Sequence, residues 1–261
     1  MFLGEGTSLV MADRAFVVYR LVASMFQAET IAVPMTDGLV HDLPAMAAAC
    51  RADTRLLFVA NPNNPSGTII DPSEVDSFLE SVPKHVIVVF DEAYIELIDS
   101  AKRPALIERV ESDPRIVILR TFSKAYGLAG LRLGYAVGHS SLISLLERVR
   151  QPFNANAMAQ EAGIAALDDS EHLDRTREMV KTGLLFFEKL CDSLNLQYVR
   201  SVANFILIRV GDGRRVFREL QREGVIVRPM GGYQLEEYVR VTLGTVEENQ
   251  RCADALRKVL S

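Results

Sequence analysis

The side chains that could perform chemistry lie in three short polar segments and at two later arginines. The segments are Asn61–Gly67, Asp91–Tyr94 and Thr121–Lys124, and the arginines are Arg132 and Arg240. Together they offer an amine, a carboxylate, a phenol and two guanidinium groups, which can transfer protons and bind anions. Each one also has a simple structural interpretation when taken alone, because Asn, Pro, Ser and Gly form turns and single charged residues usually face solvent.

A buried strand is predicted directly before each polar segment. The runs Leu56–Ala60 and Val86–Phe90 are apolar on both faces, and Ile116–Leu119 follows as the next such run. Strands of this kind are typical of a mostly parallel sheet that is covered by helices on each side. In open parallel sheets, ligands bind at the carboxyl ends of the strands. We therefore expect the three polar segments to meet in one crevice.

The remaining elements alternate between strands and helices and change character near Asp168. Before that residue, strands are predicted at Ser8–Met11, Thr30–Val33 and Gly134–Val137, and helices at Ala15–Ala28, Leu43–Cys50, Pro72–Glu80 and Leu142–Arg150. After it, helices are predicted at Glu171–Leu194, Gly213–Glu223 and Val246–Leu260, and strands at Phe205–Ile208, Val225–Arg228 and Tyr238–Thr242. The predicted fold class is α/β, with a three-layer αβα large domain over residues 1–168 and a smaller α+β domain over residues 169–261.

The composition argues against several functional classes. The 261 residues are 49% hydrophobic and 24% charged, as in soluble globular proteins, and the net charge of −5 disfavours nucleic acids and anionic membranes as partners. No apolar run reaches the roughly 18 residues that span a bilayer. Three widely spaced cysteines, without the spacing of zinc ligands, favour a reducing compartment. We expect a cytoplasmic protein with no metal site.

The joint pattern is far more specific than its parts. The run Arg120–Gly134 resembles the lysine segment of fold-type I pyridoxal-phosphate aminotransferases. The asparagine-proline turn, Asp-x-x-Tyr, Ser-Lys with an arginine eight residues later, and a late arginine occur in that family's order. The resemblance covers essentially the whole chain. It is closest to the histidinol-phosphate aminotransferase branch, through Asn61–Gly67, Phe122–Arg132 and Val239–Thr245.

The resemblance assigns a role to each residue around a pyridoxal 5'-phosphate ring. Lys124 would hold the cofactor aldehyde as a Schiff base and, once released, would shuttle a proton. Asp91 would lie against the pyridine nitrogen and favour its protonated form. Tyr94 and Asn64 would donate hydrogen bonds to the phenolic oxygen. Phe16 matches the aromatic residue that stacks on the ring, although a core residue at a helix start is an equally good interpretation.

Anion-binding positions follow from the same resemblance. Arg132 and Ser123 match positions that hold the cofactor phosphate, and Thr121 is grouped with them as a cofactor contact. The planar fork of arginine suits a phosphate dianion. Arg240 matches the arginine that binds the substrate carboxylate in two parallel hydrogen bonds. Arg228 lies near it in the sequence and is a candidate for binding an anionic substrate tail.

Three functions remain open at this stage. The first is transamination of L-histidinol phosphate with 2-oxoglutarate in histidine biosynthesis, by a chain that forms a homodimer. The second is another activity of the same branch, either an aromatic or broad-range aminotransferase or a threonine-phosphate decarboxylase-like enzyme. The third is an inactive, cofactor-free scaffold. The predicted catalytic residues do not separate the first two, because they serve all of these reactions.

One part of the family pattern has no counterpart in the chain. Met1–Thr7 resembles the stretch that follows the family's N-terminal arm, first helix and phosphate-binding Gly-Ser-Asp/Glu turn. These earlier residues also supply contacts across the family's dimer. Charge-assisted hydrogen bonds to the phosphate are worth roughly 1.5–3 kcal/mol each. We therefore expect this polypeptide by itself to bind the cofactor weakly and to be weakly active or inactive.

Overall fold

A six-stranded sheet organises the first part of the chain. It is seen in a computed structural model that describes residues 1–260. The strand order is β2-β1-β3-β4-β5-β6, and all neighbours are parallel except β6, which runs antiparallel to β5. The strands are β1 Ser8–Ala12, β2 Glu29–Val33, β3 Thr54–Ala60, β4 Ile87–Asp91, β5 Ile116–Thr121 and β6 Gly134–Gly138.

The central strands are apolar on both faces because both faces are covered. In β3, Leu57 and Val59 are fully buried in the main core, whereas Phe58 packs on the opposite face. In β4, Val88 lies in the main core and Val89 on the other side. Alternate side chains of a strand point to opposite faces, so two apolar layers require a continuous apolar run. The predicted mostly parallel sheet is confirmed.

A second, four-stranded antiparallel sheet follows in the last third of the chain. Its order is β7-β8-β10-β9, with β7 Tyr198–Val199, β8 Phe205–Arg209, β9 Arg228–Pro229 and β10 Tyr238–Thr242. Its own core contains Phe187, Ile206 and Leu256. Met230 and Tyr233, by contrast, pack into the core of the large sheet. The C-terminal part of the chain is therefore joined to the large sheet through apolar contacts.

Nine α-helices surround the two sheets within residues 1–260. They are α1 Val18–Met25, α2 Leu43–Ala48, α3 Val75–Ser81, α4 Leu106–Arg109, α5 Ser140–Glu147, α6 Ala157–Asp168, α7 Ser170–Ser193, α8 Gly213–Arg222 and α9 Val246–Leu260. Short 3-10 helices lie at Pro72–Glu74, Ile95–Leu97, Ser100–Lys102, Ala129–Leu131 and Gly231–Tyr233. Polar side chains accept a backbone N–H at the start of α2, α6, α7 and α8. Such caps satisfy N–H groups that have no partner inside the helix.

The structure differs from the predicted elements in several places. The strand predicted at Val225–Arg228 is wrong for its first three residues, because the N–H of Val225 donates to Leu220 O and completes the end of α8 after Gly224. The helix predicted at Pro72–Glu80 is divided into a 3-10 turn and α3. Helix α6 was not predicted at all. The predicted domain boundary after residue 168 stays a prediction, although α6 ends there.

His41 is the one histidine enclosed by the core of the large sheet, among residues 1–260. It is 5% exposed, and its Nε2 donates to the carbonyl of Ala60 at 2.8 Å, while Nδ1 has no partner. Burial lowers the pKa of His41 to about 4, because the charged ring loses its hydration. The neutral imidazole is therefore the form that the fold accommodates.

This burial predicts a pH-dependent stability. In the unfolded chain His41 takes up a proton near its ordinary pKa of about 6.5, whereas the folded protein does so only near 4, so the free energy of unfolding falls as the pH drops through this window. The loss should reach roughly 3 kcal/mol. Denaturant unfolding of the parent and His41→Gln at pH 7, 6, 5 and 4 measures it. The variant should show a shallower slope, and parallel curves would contradict the assignment.

Candidate active site

The three polar segments meet at the carboxyl edge of the large sheet. Strands β3, β4 and β5 are adjacent and parallel, so the segments that follow them emerge side by side. One cavity there is lined by side chains from all three segments and from the start of α1: Phe16, Tyr19, Ala60, Pro62, Asn64, Asp91, Ala93, Tyr94 and Lys124. The structure thus brings together five of the residues selected from the sequence. The parts these residues play in catalysis stay predictions.

Asp91 ends β4 and presents its carboxylate to the cavity. Its Oδ2 accepts a hydrogen bond from the Tyr19 hydroxyl at 2.5 Å, and its Oδ1 accepts one from the Ala93 N–H at 3.1 Å. Burial raises the pKa of Asp91, while these two donors and the Lys124 charge act in the opposite direction. The two hydrogen bonds also limit the rotation of the carboxylate.

Lys124 enters the cavity from the loop after β5. Its Nζ lies 5.5 Å from the centre of the Tyr94 ring, which forms another wall. Partial burial lowers the pKa of Lys124, and the nearby charges of Arg240 and Arg132 lower it further, whereas Asp91 opposes them. A lower pKa increases the fraction of neutral amine, which is the nucleophilic and basic form. The site therefore favours a lysine that can attack a carbonyl group.

Arg240, from the second sheet, contacts Asn64 in the cavity wall. It lies on β10, and its Nη1 donates to Asn64 Oδ1 at 2.5 Å. Its guanidinium group also lies over the Phe205 ring, with 4.6 Å between Cζ and the ring centre. The Phe205 and Tyr94 rings form a T-shaped pair with 5.4 Å between their centres. The Nε of Arg240 is buried without a partner. An arginine held in this way has donor capacity left for an anionic ligand.

Arg228 is the neighbour of Arg240 in the second sheet. The two residues lie opposite each other on β9 and β10, and the Arg228 side chain is exposed. Burial lowers the pKa of Arg240, and the charge of Arg228 adds to this effect. Two neighbouring positive charges repel each other, and an anion bound between them would offset this repulsion. The structure therefore places Arg228 where it could contact an anionic ligand of Arg240.

The residues predicted to bind phosphate line a second, open cavity, and the Arg132 charge is close enough to Lys124 to lower the pKa of that amine. The cavity is lined by Thr121, Ser123 and Arg132, among others. Arg132 is exposed, and its Nη1 donates to Ala129 O at 2.6 Å. The Thr121 hydroxyl bonds to Leu133 O at 3.3 Å and accepts the Ser123 N–H at 3.1 Å. Thr121 therefore shapes the loop, while Arg132 and Ser123 keep free donors.

The family follows from comparison with known proteins. The sequence profile described as "Aminotransferase class I and II" matches residues 1–256. The chain belongs to this family. Histidinol-phosphate aminotransferase from Akkermansia muciniphila is 43% identical over 258 residues, which are 99% of this chain and 70% of that protein. Histidinol-phosphate aminotransferase 2 from Ralstonia nicotianae is 46% identical over 260 residues, with 98% and 69% covered.

Solved structures agree with this membership of the aminotransferase family. The crystal structure of histidinol-phosphate aminotransferase from Sinorhizobium meliloti in complex with pyridoxal-5'-phosphate superposes with a TM-score of 0.93 at 26% identity. The match covers 99% of this chain and 71% of that chain. The predicted fold class, that of the fold-type I aminotransferases, is therefore confirmed. This chain spans about 70% of the length of the aminotransferases to which it is similar.

Two residues of the site were missed by sequence reasoning. Tyr19 bonds to Asp91, and Phe205 packs against both Arg240 and Tyr94. Phe205 carried no signal, because it reads as an ordinary core residue of a strand. Tyr19 lies three positions after Phe16, a spacing that places two residues on the same side of a helical turn. A search of that side for a polar aromatic residue would have found it.

Gly67 fixes the loop that presents Asn64. It has a φ of +74°, and its carbonyl accepts the Val202 N–H at 2.9 Å. A Cβ at this position would lie 2.0 Å from the Ser201 Oγ and 2.6 Å from the Ser201 Cβ. Both the backbone conformation and the close approach of the chain therefore require glycine here. The contact ties the Asn64 loop to the segment that leads into β8.

Substitution of Gly67 should therefore damage both stability and the site. Gly67→Ala should lose about 1 kcal/mol through the left-handed backbone and roughly another 1–3 kcal/mol through the clash with Ser201. Gly211→Ala is the matched control, because Gly211 has a φ of +82° but open space around its Cβ position. Unfolding curves of both variants measure the difference. Equal losses would mean that the approach of Ser201 is unimportant.

Proposed function

We propose that the chain is a pyridoxal-phosphate-dependent aminotransferase that transfers the amino group of L-histidinol phosphate to 2-oxoglutarate. The observation that carries the proposal is the single cavity that contains Lys124, Asp91, Asn64 and Tyr94, with Arg240 attached to it through Asn64. The names of relatives at 43% and 46% identity support the choice of substrate.

The donors around the cavity fit this cofactor chemically. The cofactor requires an amine for its aldehyde, an anion for its ring nitrogen and donors for its phenolic oxygen. Lys124 supplies the first and Asp91 the second, while Tyr94 and Asn64 border the same space. The Phe16 ring adds an apolar wall. Each chemical requirement of the ring is met by a residue of this chain.

The phosphate and the substrate anion have separate partners. Arg132 and Ser123, which line the neighbouring cavity, would hold the cofactor phosphate. Arg240 would bind the carboxylate of the oxo acid and the phosphate of the amino donor in turn, because a guanidinium fork accepts either anion. Arg228 would contribute a second positive charge beside it. We assign Thr121 to the shape of the loop rather than to a direct contact.

The protein residues then have distinct tasks. The bound cofactor would supply an electron sink for the charge that develops at the substrate α-carbon. Lys124 Nζ would remove and return the proton at that carbon, which its lowered pKa favours. The Asp91 carboxylate would keep a proton on the ring nitrogen. Arg240 would orient the substrate so that the reacting bond lies near Lys124 Nζ.

Loss of Lys124 should abolish covalent cofactor attachment. After incubation with pyridoxal phosphate and reduction with borohydride, the parent protein should gain the mass of one phosphopyridoxyl group, which is the cofactor minus one water plus two hydrogens. Lys124→Ala should gain none. Lys102→Ala is the control, because Lys102 is exposed on a 3-10 helix outside the cavity. Intact-protein mass spectrometry reads the result. A parent protein that gains no mass would favour the cofactor-free scaffold.

The substrate is tested by comparing amino donors under identical conditions. Initial rates with 2-oxoglutarate should give the highest kcat/KM for histidinol phosphate, with lower values for phenylalanine and for threonine phosphate. Release of carbon dioxide from threonine phosphate would instead support the decarboxylase alternative.

We also propose that the enzyme is a cytoplasmic homodimer. The homodimer rests on the family resemblance alone, and the cytoplasmic location rests on the cysteine usage of the sequence. None of the helices within residues 1–260 has the length and apolarity required to cross a membrane. Light scattering over a range of protein concentrations measures the oligomeric state, and a monomer at every concentration would contradict the dimer.

A further inference from the structure

Tyr19 is held rigidly beside the cavity by aromatic packing. It lies on α1, is 6% exposed, and stacks on Phe58 of β3 with 4.4 Å between ring centres and 19° between planes. The Phe16 ring meets it edge-on at 5.8 Å. These contacts fix the ring plane, so the position of the hydroxyl is set by the fold and not by the hydrogen bond that it makes.

The hydroxyl of Tyr19 points at Asp91. It donates to Asp91 Oδ2 at 2.5 Å, and the Ala93 N–H holds the other oxygen. Burial and the neighbouring carboxylate raise the pKa of Tyr19 well above its ordinary value, so the phenol keeps its proton and remains a donor. A hydrogen bond to a charged acceptor in a buried site is stronger than one between neutral groups.

We propose that Tyr19 is a positioning residue that holds the Asp91 carboxylate charged and oriented toward the ring nitrogen of pyridoxal phosphate. The proposal rests on the proposed function. Without the phenol, the partly buried carboxylate would keep only the Ala93 N–H and the distant Lys124 charge as stabilising partners. Asp91 would then take up a proton more readily and rotate more freely, so it would hold a protonated ring nitrogen less well.

The Tyr19 hydroxyl should affect cofactor binding only through the contact between Asp91 and the ring nitrogen. Tyr19→Phe keeps the ring and its packing and removes only the hydroxyl. It should weaken the binding of pyridoxal phosphate about tenfold, the loss expected for one charge-assisted hydrogen bond that acts through Asp91. The pH midpoint of the visible absorbance of the bound cofactor should also shift. Fluorescence titration and absorbance spectra of the chain measure the two quantities.

Tyr233→Phe is the matched control. Tyr233 is another buried tyrosine that packs into the core of the large sheet, but its hydroxyl has no partner. Removal of this hydroxyl should change neither the affinity for pyridoxal phosphate nor the pH midpoint. An effect equal to that of Tyr19→Phe would show that loss of any buried phenol near the site is sufficient, which would overturn the proposal.

Two further measurements separate positioning from a merely structural role. In an Asp91→Asn background, Tyr19→Phe should change affinity by less than about twofold, because the two residues act as one unit. The parent and Tyr19→Phe should also bind a carbocyclic analogue, in which carbon replaces the ring nitrogen, with similar affinity. The analogue needs no second substitution, so the test stands even if the double variant does not fold. A tenfold loss with the analogue would overturn the proposal.

The outcomes distinguish this proposal from the proposed function. If the parent protein binds no pyridoxal phosphate, the proposed function fails and the role of Tyr19 fails with it. If the parent binds the cofactor covalently through Lys124 and Tyr19→Phe matches it in affinity and pH midpoint, the function stands and only the role of Tyr19 is refuted.

Discussion

The Asp91 carboxylate is the group on which the site depends. It stands at the end of a strand whose neighbours are apolar, where burial works against its charge. Two hydrogen bonds and the charge of Lys124 act in its favour. The pKa of Lys124 is shifted in the opposite direction, because burial and the charges of Arg240 and Arg132 disfavour its protonated form. The same cavity thus contains an acid and a base whose proton affinities are shifted toward each other, which is common at functional sites.

The site also depends on the union of the two sheets. Arg240 belongs to the small sheet and Asn64 to a loop of the large one, and their hydrogen bond crosses from one to the other. The Gly67 carbonyl makes a second connection through Val202. Phe205 lies between Arg240 and Tyr94 and contacts both. The same contacts therefore hold both the Arg240 guanidinium group and the residues of the cavity.

Sequence reasoning succeeded where local pattern and burial agree. Strands β3, β4 and β5 are apolar on both faces, and their predicted positions are correct to within a few residues. It failed at α6, whose sequence shows little separation of polar and apolar faces. It also failed at Val225, where three apolar residues in a row favour a strand. There the Val225 N–H donates to Leu220 O at the end of α8 and is not available to pair with a neighbouring strand. Only the three-dimensional structure reveals this hydrogen bond.

The sequence by itself determined the fold class, the edge of the sheet that carries the polar segments, and five residues of the cavity. It could do so because each polar segment directly follows a recognisable buried strand, and strand order brings such segments together. The tertiary structure alone decided that Tyr19 donates to Asp91 across 72 positions and that Arg240 meets Asn64 across 176. Contacts at such separations depend on how elements pack and leave no local pattern. The structure also showed that the Thr121 hydroxyl bonds to Leu133 O and accepts the Ser123 N–H, which residue type alone does not predict.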